Sequence, residues 1–212
     1  TNYYVTYVEP PVPENSAENP YYVEWIWNDA QTEATASVTV AAGTTYYCAS
    51  YITGLELFIN GASYGVLTGS RWEPAKFTVV NDTDAEATYE LKIVVPVGSM
   101  DNPDTLVMGE NNAIIAEGGQ GYFFTWTAEK DGTLTITMPE GNWSYTINNL
   151  TTYAYGDTQW SDSDPVVNPA KVEVKAGDVL QIMVNTYDPA NEWVAPAGKL
   201  LIIAAFEEPI EK

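Results

Sequence analysis

Short runs of strand-forming residues, separated by turn formers, dominate this chain. Runs such as 76–80 and 91–95 are β-branched or alternate in polarity, and turn dipeptides such as Asn60-Gly61 and Asp131-Gly132 separate them. No stretch shows the 3.6-residue period of an amphipathic helix. Many short strands at this spacing predict an all-β fold built from β-sandwiches.

The chain also contains an internal repeat. Four segments of the first half match four of the second: 43–48 with 119–124, 55–59 with 134–138, 72–79 with 167–174, and 91–95 with 200–204. A chain of 212 residues is long enough for two sandwiches of about 100 residues each. The repeat therefore predicts two tandem, related β-sandwich lobes, residues 1–97 and 98–212, joined by a short linker.

Acidic residues far outnumber basic ones. The chain has 29 Asp and Glu against 8 Lys and Arg, a formal net charge of −21. Such a field repels phosphate, so nucleic acid and anionic lipid are excluded as partners, whereas a neutral polysaccharide is not opposed. No run approaches the roughly 20 apolar residues of a membrane span. We expect an extracellular or cell-surface protein, a monomeric fragment of a larger multidomain secreted protein.

The residue inventory argues against catalysis and against a cofactor. The chain has no His, which removes the usual general base and the commonest metal ligand. Cys48 stands alone in an apolar run, which predicts a small buried hydrophobe. Carboxylates are abundant, but none lies in a recognisable glycosidase context, and the acidic segments 81–84 and 161–164 are typical of turns rather than calcium loops. We expect no cofactor, no metal and no enzymatic activity.

Two segments of the second half have no counterpart in the first, and both are rich in aromatic residues. They span about 142–165 and 185–198. Loops accept insertions more easily than strands, and they also carry function. An aromatic ring packs against the apolar C–H face of a pyranose, while amides and carboxylates bond the hydroxyls around its rim. Aromatic insertions therefore favour carbohydrate binding.

Four segments supply candidate binding residues. The strongest offers three rings and two polar neighbours: Tyr153, Tyr155, Trp160, Asp157 and Gln159. The others are Tyr187 and Trp193 in the second insertion, Tyr64, Arg71 and Trp72 in the first lobe, and Trp27 on a strand. Structural roles stay open for all of them, because rings in an insertion can tuck the loop onto the sandwich and Trp27 can fill the core.

Two stretches of the second lobe carry a family resemblance. The segment GYFFTWTAEKDGTLTITM at 121–138, followed by VEVKAGDVLQIMV at 172–184, resembles the β-sandwich accessory modules of bacterial secreted enzymes. The whole acidic chain, with its duplicated lobes and its many Tyr and Trp residues, resembles the starch adherence system family of gut Ruminococcus amylosomes. That resemblance implies a two-lobed starch-binding groove without enzymatic activity.

The sequence thus leads to one functional hypothesis and two alternatives. The leading hypothesis is non-catalytic binding of an α-1,4-glucan, starch or a maltooligosaccharide, by aromatic stacking with polar contacts at the rim. One alternative is a structural or adhesive spacer, for which the inserted rings would be buried or scattered. The other is a protein-interaction module of an extracellular assembly, which would need a broad apolar patch with a polar rim.

Overall fold

A computed structural model describes residues 14–116, 118–138, 140–191 and 194–210. These residues form strands and no helix, which confirms the all-β prediction. It follows that none of the described segments is a helix able to span a membrane. The strands are β1 (Tyr21–Tyr22), β2 (Ile26–Trp27), β3 (Glu33–Val40), β4 (Thr44–Ser50), β5 (Glu56–Ile59), β6 (Ala62–Val66), β7 (Ala75–Asn81), β8 (Ala87–Val94), β9 (Asp104–Thr105), β10 (Gly109–Ile115), β11 (Tyr122–Thr127), β12 (Gly132–Thr137), β13 (Trp143–Asn149), β14 (Ala154–Tyr155), β15 (Gln159–Trp160), β16 (Ala170–Val174), β17 (Val179–Thr186) and β18 (Gly198–Glu207).

The chain divides into two compact units, the first ending at Val95 and the second beginning at Pro96. Unit 1 contains a three-stranded sheet, ordered β1-β4-β7, and a five-stranded sheet, ordered β2-β3-β8-β5-β6. Phe77 of the first sheet and Leu57 and Leu91 of the second belong to one buried cluster. The two sheets therefore share a core, to which β7 contributes alternate residues.

Unit 2 is built in the same manner. Its four-stranded sheet is ordered β10-β18-β12-β16, and its six-stranded sheet is ordered β14-β13-β17-β11-β9, with β15 also paired to β13. Phe124 and Ile182 of the six-stranded sheet share a buried cluster with Leu134 and Ile202 of the other sheet. These four side chains are at most 1% exposed, so this cluster is the hydrophobic core of unit 2.

Strand order corrects one match of the internal repeat. The order β1-β4-β7 in unit 1 has the same pattern as β9-β11-β17 in unit 2, and β3-β8-β5-β6 has the same pattern as β10-β18-β12-β16. The counterpart of β7 is therefore β17, whereas the match of 72–79 with 167–174 pairs β7 with β16. Both of these strands begin in a Pro-Ala-Lys run. The shared Pro-Ala-Lys sequence therefore does not determine which sheet each strand joins.

The first inserted segment is not a simple loop. Its residues 143–149 form β13, which pairs along its whole length with β17 and widens the sheet. The chain then returns twice along the free edge of β13, as β14 opposite Asn148 and Asn149 and as β15 opposite Ser144 and Tyr145. The insertion thus builds a new sheet edge, and this edge carries several of the nominated aromatic residues.

Candidate functional site

One face of the six-stranded sheet in unit 2 points away from the core. In β17 the residues Leu180, Ile182 and Val184 are fully buried, so the residues between them project from the opposite face. The register places neighbours from β13 beside each of them on that side. We call this surface the sheet face; it consists of Ser144, Thr146, Asn148, Tyr155, Trp160, Gln181, Met183 and Asn185.

Two exposed aromatic residues lie at the outer edge of the sheet face. Tyr155 of β14 is opposite Asn148, and Trp160 of β15 is opposite Ser144, on the same edge of β13. Four residues of strand separate these positions, which is about 13 Å at 3.3 Å per residue. An even number of residues keeps both rings on one side of the sheet. Tyr155 is 67% exposed and Trp160 is 36% exposed.

Amides and hydroxyls continue the sheet face inward from these rings. Asn148 is opposite Gln181 of β17, which is in turn opposite Thr125 of β11, so one row runs across four strands from Tyr155. The Asn148 NH2 group approaches the Gln181 side-chain oxygen at 3.5 Å, a long contact that leaves this NH2 group and the Gln181 amide able to bond a ligand. The Asn148 side-chain oxygen accepts a hydrogen bond from the Gly156 N–H at 3.2 Å. A second row runs from Trp160 to Asn185 through Ser144, which is only 3% exposed. Between the two rows, Thr146 is opposite Met183. The sheet face is therefore a largely polar strip bordered by two rings.

Tyr187 corrects a prediction made from the sequence. It was expected to offer its ring to a ligand, but it is only 4% exposed. Its ring meets the Trp160 indole edge to face, with centroids 4.9 Å apart and planes at 85°. Its hydroxyl lies 3.1 Å from the Ser161 hydroxyl. Tyr187 therefore packs beneath Trp160 and holds the indole in place.

The other candidate binding residues of the two insertions differ in exposure and in the side of the sheet on which they lie. Tyr153 is 75% exposed in a turn, with a positive φ of 57°, and Asp157 is exposed on the connection to β15. Gln159 is opposite Tyr145, whose ring is buried, so its register position faces the core side of the sheet and not the side of Trp160. The prediction that Gln159 works beside Trp160 is wrong for this reason. Trp193 lies outside the described residues.

A groove of about 780 Å³ opens beside the sheet face, at the edge where β14 and β16 are the outermost described strands of their two sheets. Ile147, Val172 and Val174 line it, with Tyr155 and several charged residues. Asp131 accepts hydrogen bonds from the Ala176 backbone N–H and the Lys175 ammonium, both at 2.9 Å. These bonds, the backbone one first, hold the pKa of the Asp131 carboxyl below its usual value.

The nominated residues of unit 1 also divide by exposure. Trp72 is 83% exposed at the tip of a turn, and the Arg71 guanidinium lies 5.2 Å from the centroid of its ring. Tyr64 on β6 is half exposed and meets the buried Phe77 ring edge to face. Trp27 is partly buried and packs against the core cluster together with Trp25, which is the structural role that the sequence left open for it and not the binding role for which it was nominated.

The sequence analysis missed one aromatic pair in unit 1. Tyr22 and Tyr51 are stacked, with ring centroids 5.0 Å apart and planes at 21°, and are 43% and 78% exposed. It also missed the amides of Asn148 and Gln181, which strand alternation in 143–149 and 179–186 could have assigned to one face.

Neither acidic segment gathers a cation site within the part of the chain that the structure describes. Those residues contain no group of three or more acidic, Cys or His side chains placed to hold a metal ion. The Asn81 side chain donates to the Val40 and Ala85 carbonyls and accepts from Thr83. It is fully buried and organises its own turn. Segment 81–84 is therefore a structural turn.

Comparison with known proteins assigns this chain to no family. No protein-family model and no curated protein matches the sequence. Among solved structures, the chain is similar to a cycloalternan-forming enzyme from Listeria monocytogenes in complex with a pentasaccharide substrate, with 10% identity and a TM-score of 0.25. The alignment covers 87% of this chain and 20% of that enzyme. A likeness of this size carries no conclusion about ligand or activity.

Proposed function

We propose that this chain is a non-catalytic, extracellular module that binds a neutral α-glucan, starch or a maltooligosaccharide, on the sheet face of unit 2. The observation that carries the proposal is the placement of Tyr155 and Trp160 on one edge of β13, about 13 Å apart along a strip of amides and hydroxyls. A chain of several linked sugar rings spans this separation.

The chemistry of the strip suits a pyranose chain. The rings of Tyr155 and Trp160 stack on the apolar C–H faces of two sugars, and the amides of Asn148 and Gln181 both donate and accept hydrogen bonds around the sugar rim. Trp160 is already held by Tyr187, so little rotational freedom is lost when a ligand binds. Each ring contact is worth on the order of 1 kcal/mol. A few such contacts give micromolar affinity after the cost of association.

The choice of an α-glucan rests on the resemblance to the starch adherence system family. The net charge of −21 supports a neutral glycan over an anionic one, because like charges repel. An α-glucan chain is curved. Two rings on the edge of a twisted sheet are set at an angle to each other, and they therefore fit a curved chain better than two rings on a flat surface would.

Two of the three carboxylates that line the groove next to Tyr155 are unsuited to hydrolysis. A glycosidase needs one carboxyl whose raised pKa keeps it protonated as the general acid. The pKa of Asp131 is instead lowered, because the carboxylate accepts bonds from the Ala176 N–H and from Lys175. Asp178, a second carboxylate in the groove, is only 6% exposed and accepts bonds from the Asn149 amide and the Lys175 N–H. These two carboxylates are committed to structure.

Affinity electrophoresis through gels containing starch, glycogen, xylan or mixed-linkage β-glucan tests the proposal. We expect starch and glycogen to retard the wild-type chain and the other two glycans not to. Trp160→Ala and Tyr155→Ala are each expected to weaken binding roughly fivefold to tenfold, the equivalent of one lost ring contact. Incubation with soluble starch is expected to release no reducing sugar.

Ile114→Ala is the matched control, because Ile114 is a 71% exposed side chain on β10, in the other sheet of unit 2. It should migrate like the wild type in every gel. Migration of the wild-type chain unaffected by all four glycans would refute the proposal and favour a spacer. Retardation by starch as strong as that of the wild type after loss of both Tyr155 and Trp160 would refute the assignment to the sheet face.

A further inference from the structure

We propose that unit 1 carries a second, independent glucan-binding platform on its three-stranded sheet, formed by Tyr22, Tyr51 and Trp72 with Arg71. The inference deepens the proposed function and rests on it for the class of ligand, a neutral α-glucan. It adds a second site, so that one chain binds two sugar segments.

The stacked tyrosines lie on the side of the sheet that faces away from the core. Tyr21 packs against the core cluster, so its neighbour Tyr22 projects outward. Tyr22 is aligned with Ala49 of β4, and Ala49 is opposite the exposed Lys76 of β7. Tyr51 follows the end of β4 and stacks on Tyr22. Ala49 is fully buried although it lies on this outer side, which is consistent with cover from the two rings.

Trp72 lies at the same end of the sheet. Ser50, the residue before Tyr51, is opposite Ala75, which begins β7 three residues after Trp72. Paired Cα atoms are about 5 Å apart and the chain reaches at most about 3.6 Å per residue, so the Tyr51 and Trp72 Cα atoms are at most roughly 20 Å apart. Trp72 and Tyr51 are thus two exposed aromatic residues at the same end of the sheet, and Tyr51 has a stacked partner.

The turn that carries Trp72 is tightly held. Ser70 and Glu73 exchange backbone hydrogen bonds of 2.9 and 3.3 Å, and the Ser70 hydroxyl accepts from the N–H groups of Trp72 and Glu73. Gly69 lies so close to its neighbours that an added Cβ would stand 2.7 Å from both the Glu73 carbonyl oxygen and a Thr53 methyl carbon. The indole is therefore presented from an ordered backbone, which reduces the entropy lost on binding.

The composition of this surface favours a neutral sugar chain over a protein. The outer side near Tyr22 and Tyr51 consists of Tyr47, Ala49, Lys76 and Thr78. The exposed aliphatic side chain of Val80 lies farther along β7, opposite Thr45. A protein-docking patch would need a broad apolar centre. Arg71 and Lys76 are hydrogen-bond donors for sugar hydroxyls, and Arg71 lies against the Trp72 ring, 5.2 Å from its centroid.

Four full-length proteins test the inference against maltoheptaose by calorimetry and against starch granules by sedimentation. They are the wild type, the unit 1 pair Tyr51→Ala/Trp72→Ala, the unit 2 pair Tyr155→Ala/Trp160→Ala, and the control Ile26→Ala/Ile114→Ala, whose side chains are similarly exposed. We expect each aromatic pair to halve the number of oligosaccharides bound and to weaken granule binding about tenfold or more, because two linked sites bind far more tightly than one. The control should match the wild type.

The outcomes separate the two proposals. A unit 1 pair with wild-type stoichiometry and granule affinity would overturn the second platform, as would a unit 2 pair that binds nothing. Complete loss of binding in the unit 1 pair alone would support this platform and overturn the sheet face. A wild type that binds no glucan would overturn both. Tyr51→Phe/Trp72→Tyr keeps the rings and should retain wild-type binding, and circular dichroism checks that every variant is folded.

Discussion

The Trp160 indole meets the buried ring of Tyr187 edge to face, with centroids 4.9 Å apart and planes at 85°. This pair joins the two inserted segments of unit 2, because Trp160 belongs to the first and Tyr187 follows β17 in the second. One ring is placed to bind and the other to support. The sequence analysis nominated both residues for binding, whereas the structure gives Tyr187 a supporting position.

Substitution of Tyr187 should separate support from binding. Tyr187→Phe keeps the ring and loses only its bond to Ser161, so we expect a loss of about 1 kcal/mol of unfolding free energy and unchanged glucan affinity. Tyr187→Ala removes a buried ring and should cost about 3 kcal/mol or more, with glucan affinity at least fivefold lower as the indole becomes free to rotate. Urea denaturation and calorimetry measure the two effects; equal affinities in both variants would contradict the positioning role.

Two adjacent asparagines should behave in opposite ways. Asn149 is 8% exposed, donates to Asp178 at 2.9 Å and accepts from the N–H groups of Thr151 and Thr152. Asn149→Ala should therefore destabilise the chain by about 1–3 kcal/mol, because it leaves buried partners unsatisfied. Asn148→Ala, on the sheet face, should change stability by less than about 1 kcal/mol and weaken glucan binding. Denaturation and calorimetry on both variants check this, and a reversed pattern would contradict the assigned face.

Alkaline pH should destabilise the fold. Burial raises the pKa of the Cys48 thiol from 9.0 to about 12. Burial, and then the hydrogen bond to Asp104, raise the pKa of Tyr122 from 10.0 to about 12. The native state holds both protons more tightly than the unfolded state, so this stabilisation is complete below about pH 9 and is lost as the pH rises toward 12.

Urea denaturation between pH 8 and pH 11 measures this decline. In Cys48→Ala the free energy of unfolding should fall less steeply with pH, because only Tyr122 of these two residues still has a proton to lose. A thiol reagent should not react with the native chain at pH 8 and should react once urea unfolds it. Rapid labelling of the native chain would show that Cys48 is accessible.

Gly69 should be required for the turn that presents Trp72. In Gly69→Ala the new methyl group would meet the Glu73 carbonyl and the Thr53 side chain at 2.7 Å, so we expect a loss of about 1–3 kcal/mol and weaker granule binding. The control is Gly198→Ala, whose methyl group would meet only a Thr186 methyl carbon, at an ordinary 3.7 Å. Both variants would be compared by thermal denaturation and granule sedimentation. Equal behaviour would show that the turn tolerates the methyl group.

Alternation and turn chemistry, read from the sequence, were sufficient to predict an all-β chain. In β7 the residues Phe77 and Val79 are buried and their neighbours Lys76 and Val80 are exposed, as a period of two requires. This signal is local, because successive strand residues point to opposite faces wherever the strand lies. Tyr153, Tyr155 and Trp72, which the sequence nominated as binding residues with structural roles left open, are exposed.

Only the tertiary structure decided which strands pair and which rings meet. The sheets that receive β7 and β16 could not be told apart from two similar Pro-Ala-Lys runs, because pairing depends on distant partners. Tyr22 and Tyr51 are brought together by the parallel pairing of β1 with β4. Tyr187 is buried and Trp160 half exposed, although both occur in aromatic insertions. Whether an aromatic ring is exposed or buried depends on the residues that pack against it. Those residues are distant in the sequence, so the local sequence does not reveal them.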